Sequence, residues 1–99
     1  MLFLVISTPR PEAPSTIRER QKAYWIWINE RMKEGTVKHL WTKCGRGAVT
    51  IVEVASHEEL HKFINQWAEN VPAAFEVTPL VSKEHQERIA MAGTSPMDL

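Results

Sequence analysis

His39-Leu40-Trp41-Thr42-Lys43-Cys44-Gly45-Arg46-Gly47-Ala48-Val49-Thr50-Ile51-Val52-Glu53-Val54-Ala55-Ser56-His57-Glu58-Glu59-Leu60-His61 holds two β-rich runs, a turn and a helix start in succession. Val37 to Cys44 and Ala48 to Ala55 read as strands, and Gly45-Arg46-Gly47 between them offers the positive-φ positions of a tight connection, which predicts a hairpin. Ser56 precedes Glu59 by three residues, the spacing of a capping box. Leu60, Phe63, Ile64 and Trp67 then recur at i, i+3, i+4 and i+7, predicting an amphipathic helix over 57–69. Asn70 and Pro72 end it, Phe75 to Thr78 follow as a strand, and Pro79 marks the exit.

Upstream, residues 2–8 form a continuous apolar run closed by Pro9, Pro11 and Pro14, which suits a strand buried on both faces. Ser15 or Thr16 is placed to cap a helix over 16–34, with Glu19 in its first turn and Gly35 as its stop. The order β-α-β-β-α-β over residues 1–80 is that of a ferredoxin-like α+β domain, an antiparallel sheet with both helices on one face. Val49, Ile51 and Glu53 alternate with Thr50, Val52 and Val54, so both sheet faces carry apolar groups and a second subunit is the simplest cover for the helix-free face. A face-to-face dimeric α+β barrel is expected. Residues 81–99 form a C-terminal tail with a short helical pattern, then Gly93 and Pro96, for which an intersubunit role is left open.

A 99-residue chain buries only about two thirds of its unfolded surface, so a homodimer or higher homo-oligomer is the expectation. Twelve basic and twelve acidic residues cancel, and the aromatics are not interleaved with Lys and Arg clusters, so nucleic acid is not an expected partner. The Leu2 to Ile6 run lacks a basic flank and a cleavage site, and no segment approaches spanning length, so a cytoplasmic protein with no membrane partner is expected. The single Cys44 reads as a small core residue on a strand rather than a nucleophile.

His57-Glu58-Glu59-Leu60-His61 also fits the H-E-x-x-H pattern of zinc hydrolases, since His57 and His61 lie one helical turn apart. Ser56 and Glu59 already explain the segment as a helix start, and Glu58 points about 160° from Leu60, at ~100° per residue, so the would-be base faces solvent. Glu76, Glu84 or His85 would have to supply a third ligand without a motif. No metal is assigned, and a zinc hydrolase through His57 and His61 ranks last among the readings.

The first helix offers a better pocket. With Tyr24 as centre, Ile17, Arg20, Gln21, Trp27, Ile28 and Arg31 fall within about 60° of it, at ~100° per residue. Buried polar groups need partners, so Arg20, Gln21, Tyr24 and Arg31 either pair with one another, snorkel, or line a cavity. Lys22 lies on the opposite side, as a solvated or intersubunit lysine or a charge stabiliser, and the outward Ile26 suggests an oligomer contact. On the second strand His39, Trp41 and Lys43 share a face, with His39 suited to acid or base work near neutral pH and Trp41 to an apolar wall. Glu53 is either a base or the rim partner of an arginine.

These residues carry a resemblance. The Met1-Leu2-Phe3-x-Val5 opening, Lys22-Ala23-Tyr24, His39-Leu40-Trp41 with Gly45 after it, Val54-x-Ser56-x-x-Glu59-Leu60-His61 and Val77-Thr78-Pro79-Leu80 together resemble the muconolactone Δ-isomerase family over most of Met1 to Leu80. The resemblance implies a dimeric α+β barrel, often built into larger rings, that moves a proton across an unsaturated lactone without cofactor. It also implies a Glu-Lys pair early in the first helix, where this chain has Gln21 and Lys22, and a polar loop where this chain has Pro9 to Pro14. The leading expectation is a cofactor-independent isomerase-like enzyme catalysing proton transfer, cyclisation or rearrangement on a small unsaturated lactone or polyketide-like molecule. Tyr24 and His39 are its candidate acid and base, Lys22 a charge stabiliser, Gln21 an oxyanion donor, and Trp41 and Arg20 binding residues. The rival is a non-catalytic small-molecule-binding or assembly module that keeps the fold.

Overall fold

The computed structural model describes residues 1–92, so the expected Gly93 and Pro96 breaks lie outside the described residues. Its elements are β1 (Leu2–Pro9), α1 (Arg18–Lys33), β2 (Val37–Thr42), β3 (Ala48–Glu53), α2 (His57–Asn70), β4 (Ala73–Leu80) and α3 (Lys83–Met91). The four strands form one sheet in the order β2-β3-β1-β4, with every pair antiparallel. Both helices cover one face, which is the ferredoxin-like architecture expected from the order of elements.

The core is the layer between that face and the helices. Phe3 and Val5 of β1, Val52 of β3, Tyr24 and Ile28 of α1, and Leu60, Phe63 and Trp67 of α2 are all buried together. The α2 stripe is the one its periodicity predicted, and the helix begins as its capping box requires. Ser56 Oγ accepts from the Glu59 N–H at 3.1 Å, and the Glu59 carboxylate reaches back to the Ala55 N–H at 2.9 Å. Two buried hydroxyls on the sheet are satisfied as well, Ser7 Oγ accepting from the Ala48 N–H and Thr50 Oγ1 donating to the Val5 carbonyl, each at 3.0 Å.

Several local expectations are corrected. Neither Ser15 nor Thr16 caps α1; its N-cap is Ile17, without a side-chain hydrogen bond, because residues 13–17 form a turn in which Thr16 N–H donates to the Ala13 carbonyl at 2.9 Å. That turn drives Ile17 into the interior instead. Cys44 is exposed in the turn after β2 rather than buried in a strand. In that turn Arg46 and Gly47 take positive φ (75° and 113°) while Gly45 does not, and a Cβ at Gly47 would lie 2.3 Å from the Ser7 carbonyl oxygen. Pro79 does not end β4 but pairs with Phe3, which an edge strand tolerates because a missing N–H costs least there. β1 is buried on one side only, with Phe3, Val5 and Ser7 under the helices and Leu2, Leu4 and Ile6 half-buried on the open side.

One irregularity decides where side chains of β2 point. Val37 pairs with Val52 and His39 with Ile51, so two steps along β2 match one along β3 and Lys38 forms a bulge. Val37 faces the helices, and without the bulge His39 and Trp41 would follow it. The extra residue turns both to the open face and hands the helix side to Leu40 and Thr42.

α3 buries no side chain, and its Ser82 N-cap accepts from the His85 N–H at 3.1 Å. The radius of gyration is 16.5 Å, against about 13 Å for a compact chain of this length, and the longest dimension is 56 Å. α3 therefore extends from the domain body as an arm.

Candidate functional site

Between α1, the C-terminal end of α2 and the β2–β3 end of the sheet lies a cavity of about 160 Å³. An engineered cavity of about 150 Å³ holds a benzene ring, so this one has single-ring dimensions. Trp25, Trp67, Val71 and Pro9 give it apolar walls, and Ala48 and Gly47 keep its sheet side free of bulk. Its polar lining is Gln21, Tyr24, Thr42 and Arg46, together with Ser7.

The helix geometry produces this directly. Gln21 and Tyr24 are three residues apart on α1, one above the other on the face that packs on the sheet. Tyr24 is held by aromatic neighbours, 5.6 Å from Trp67 and 5.3 Å edge-on to Trp25 between ring centroids. Among the described residues its hydroxyl has no hydrogen-bond partner, nor have the side chains of Gln21 and Thr42, although all three line the cavity. Burial pushes the Tyr24 hydroxyl up to about 12, further above neutral pH than its ordinary value, so the neutral hydroxyl is the form the site holds.

The other sequence candidates lie elsewhere. Lys22 is exposed on the outer side of α1 and pairs with Glu19 at 3.3 Å. Arg20 sits beside the cavity and is held by Glu12 at 3.1 Å. Partial burial works against the Glu12 charge, but hydrogen bonds from Arg20 and Arg10 outweigh it and hold its carboxyl below the usual carboxylate value. His39 and Trp41 stack on each other on the open face, 5.6 Å between centroids, with the sheet between them and the cavity. Tyr24 and His39 thus do not share a site within one protomer, and the reason is the Lys38 bulge. Glu53, also on the open face, faces Lys38 at 3.9 Å rather than an arginine.

His57 and His61 are both exposed; the His57 ring packs edge-on against Phe3 at 6.1 Å and His61 contacts Asn65 at 3.3 Å. Among the described residues no three His, Cys, Asp or Glu side chains converge as a metal would require. Sequence reasoning missed Arg46, Thr42 and Ser7 in the cavity lining. A charged residue flanked by two glycines at the end of a hairpin was the available signal for Arg46.

Among solved structures the chain is similar to the 5-chloro-2-hydroxyhydroquinone dehydrochlorinase TftG from Burkholderia phenoliruptrix AC1100, determined in complex with 2,5-dihydroxybenzoquinone. The TM-score is 0.70 at 19% identity, covering 86% of this chain and 98% of that one, a likeness of fold. No curated protein matches the sequence. The profile of a family described as a domain of unknown function, DUF3303, matches residues 1–93, which spans β1 through α3. The chain belongs to the DUF3303 family.

Proposed function

We propose that this protein is a cofactor-independent enzyme acting on a small, flat, oxygenated molecule bound between α1 and the sheet. The observation that carries the reading is a single-ring cavity with three side-chain polar groups, Tyr24, Gln21 and Thr42, that the protein leaves without partners. Tyr24 is buried and Gln21 half-buried, where polar groups are ordinarily paired by protein, water or ligand, while Thr42 stands at the open mouth. The similarly folded dehydrochlorinase was solved with a hydroxylated quinone, which fits a cavity of this size.

The reaction class we assign is proton transfer, cyclisation or rearrangement on an unsaturated lactone or polyketide-like substrate, as the resemblance to the muconolactone isomerase family implies. Such chemistry needs a base to take an acidic proton, donors where negative charge develops on a carbonyl oxygen, and return of the proton to another carbon; the described lining supplies the donors and not the base. Tyr24 supplies a protonated hydroxyl and Gln21 an amide N–H; neither needs to move when charge appears, which is what makes fixed donors effective in a water-poor site. Arg20 keeps a supporting place through Glu12. His39, Trp41 and Lys22 remain outside the cavity of the protomer, and we assign His39 and Trp41 to the subunit interface. There the open face, with Leu2, Leu4, Ile6, Val49, Ile51 and Leu80, stacks on a second copy in a dimeric barrel.

A second reading is favoured by one feature: no carboxylate or imidazole lines the cavity among the described residues. A binding or assembly module would need none. Proton NMR of unsaturated lactones and of 2,5-dihydroxybenzoquinone in D2O separates the two. An enzyme accelerates exchange or rearrangement and loses that in Tyr24→Phe combined with Gln21→Ala, whereas tight binding with no turnover selects the module. Full turnover in the double variant would remove the assigned site. No helix among the described residues is long and apolar enough to cross a membrane.

A further inference from the structure

We infer that Arg46 makes the cavity an anion site, which takes a flat single-ring molecule through a carboxylate, enolate or phenolate held in its ionised form at the β2–β3 turn. The inference rests on the small-molecule reading above and names the substrate class of the same site.

Arg46 is fixed rather than waving in solvent. Its backbone holds φ 75°, in the left-handed region that L side chains rarely adopt, as the tight β2–β3 turn requires. Its Nη1 donates to the carbonyls of Arg10 at 3.4 Å and Glu12 at 3.0 Å, clasping the proline-rich β1–α1 loop to the hairpin. A guanidinium carries five donors in a planar fork, and these two bonds account only for Nη1.

Its charge has no partner among the described residues. The nearest carboxylate in the loop, that of Glu12, is committed to Arg10 at 3.0 Å and Arg20 at 3.1 Å. Within the cavity the remaining polar side chains, Gln21, Tyr24, Thr42 and Ser7, are all neutral and each carries an N–H or O–H able to donate, so none opposes an anion by charge. One fixed cation and several neutral donors around an aromatic-walled space of single-ring size is a complementary arrangement for a planar anion. It also bears on the missing base: a substrate that arrives ionised needs a site that stabilises its charge more than one that removes its proton.

Benzoate and benzamide test this, since they share a shape and differ in charge. Binding of each to the full chain is read by calorimetry and by quenching of tryptophan fluorescence. The wild type should prefer benzoate about tenfold, as one charge-assisted pair at a half-exposed mouth provides. Arg46→Gln should lose the preference and leave benzamide binding unchanged, Arg46→Lys should retain part of it, and Lys43→Gln, outside the lining, should retain all of it. Because Arg46→Gln also loosens the loop clasp, the unmutated protein gives an independent readout: its preference should shrink as KCl is raised. Equal binding of the two probes to the wild type, or a preference that survives Arg46→Gln or high salt, overturns the role of Arg46 and leaves the pocket reading intact. If neither probe nor 2,5-dihydroxybenzoquinone binds the wild type, the pocket reading itself fails and takes this inference with it.

Discussion

Tyr24 is the only tyrosine in the chain, so its ionisation can be followed in isolation by near-ultraviolet absorbance. Burial raises its hydroxyl from the ordinary 10.0 to about 12, a preference for the protonated form on the order of 2–3 kcal/mol. The sign follows from proton counting. Below pH 10 the hydroxyl is protonated in folded and unfolded chains alike and contributes no pH dependence. Between pH 10 and 12 the unfolded chain has released the proton and the folded one has not, so stability falls as pH rises and the contribution is gone above the folded value. A loss on the order of 2–3 kcal/mol is a large share of the roughly 5–15 kcal/mol that holds a small domain together. Tyr24→Phe keeps the ring against Trp67 and removes the titration. Urea unfolding of both proteins across this window should show the wild type losing ground to the variant, with a tyrosine midpoint near 12 in the folded protein. A midpoint at the ordinary value, with parallel stability profiles for the two proteins, would mean that water reaches the hydroxyl freely. The donor would then act in a solvated rather than a water-poor site, and the case for a shielded Tyr24 would fail.

Two further perturbations test the frame around the site. Trp67→Ala removes a fully buried side chain that contacts Tyr24, Phe63 and Phe75, and should cost about 3–5 kcal/mol in chemical denaturation; a loss below ~1 kcal/mol would mean the α2 stripe is not the core. Leu4→Lys places a charge in the middle of the open sheet face while leaving the helix side untouched. Sedimentation should show a wild-type dimer converted to monomer, and an unchanged assembly would move the interface to another surface.

Much of the fold can be read in the chain because local signals agree with one another. The α2 stripe, its Ser56–Glu59 cap and the glycine-flanked hairpin each point to the same order of elements, and a β-α-β-β-α-β order admits few sheets. The α1 face was legible for the same reason: Tyr24, Ile28 and Ile17, placed on one side by a 3.6-residue period, are the residues the structure buries. The position of His39 was not legible. Period-two reasoning sets the relation of His39 to Trp41 correctly but cannot set which face they take, since one bulged residue at Lys38 reverses the assignment and Thr36-Val37-Lys38-His39 carries no glycine or proline to announce it. Arg46 escaped because a turn residue between two glycines reads as connection rather than as site. Its role appears only when β2 and β3 bring the turn to the end of α1.

A small-molecule site between α1 and the sheet is testable by a crystal structure of the protein soaked with 2,5-dihydroxybenzoquinone. Ring density is expected between Tyr24 and the Trp67 end of the cavity, within hydrogen-bond reach of the Tyr24 hydroxyl and the Gln21 amide. Density confined to the open face beside His39 and Trp41 would contradict it.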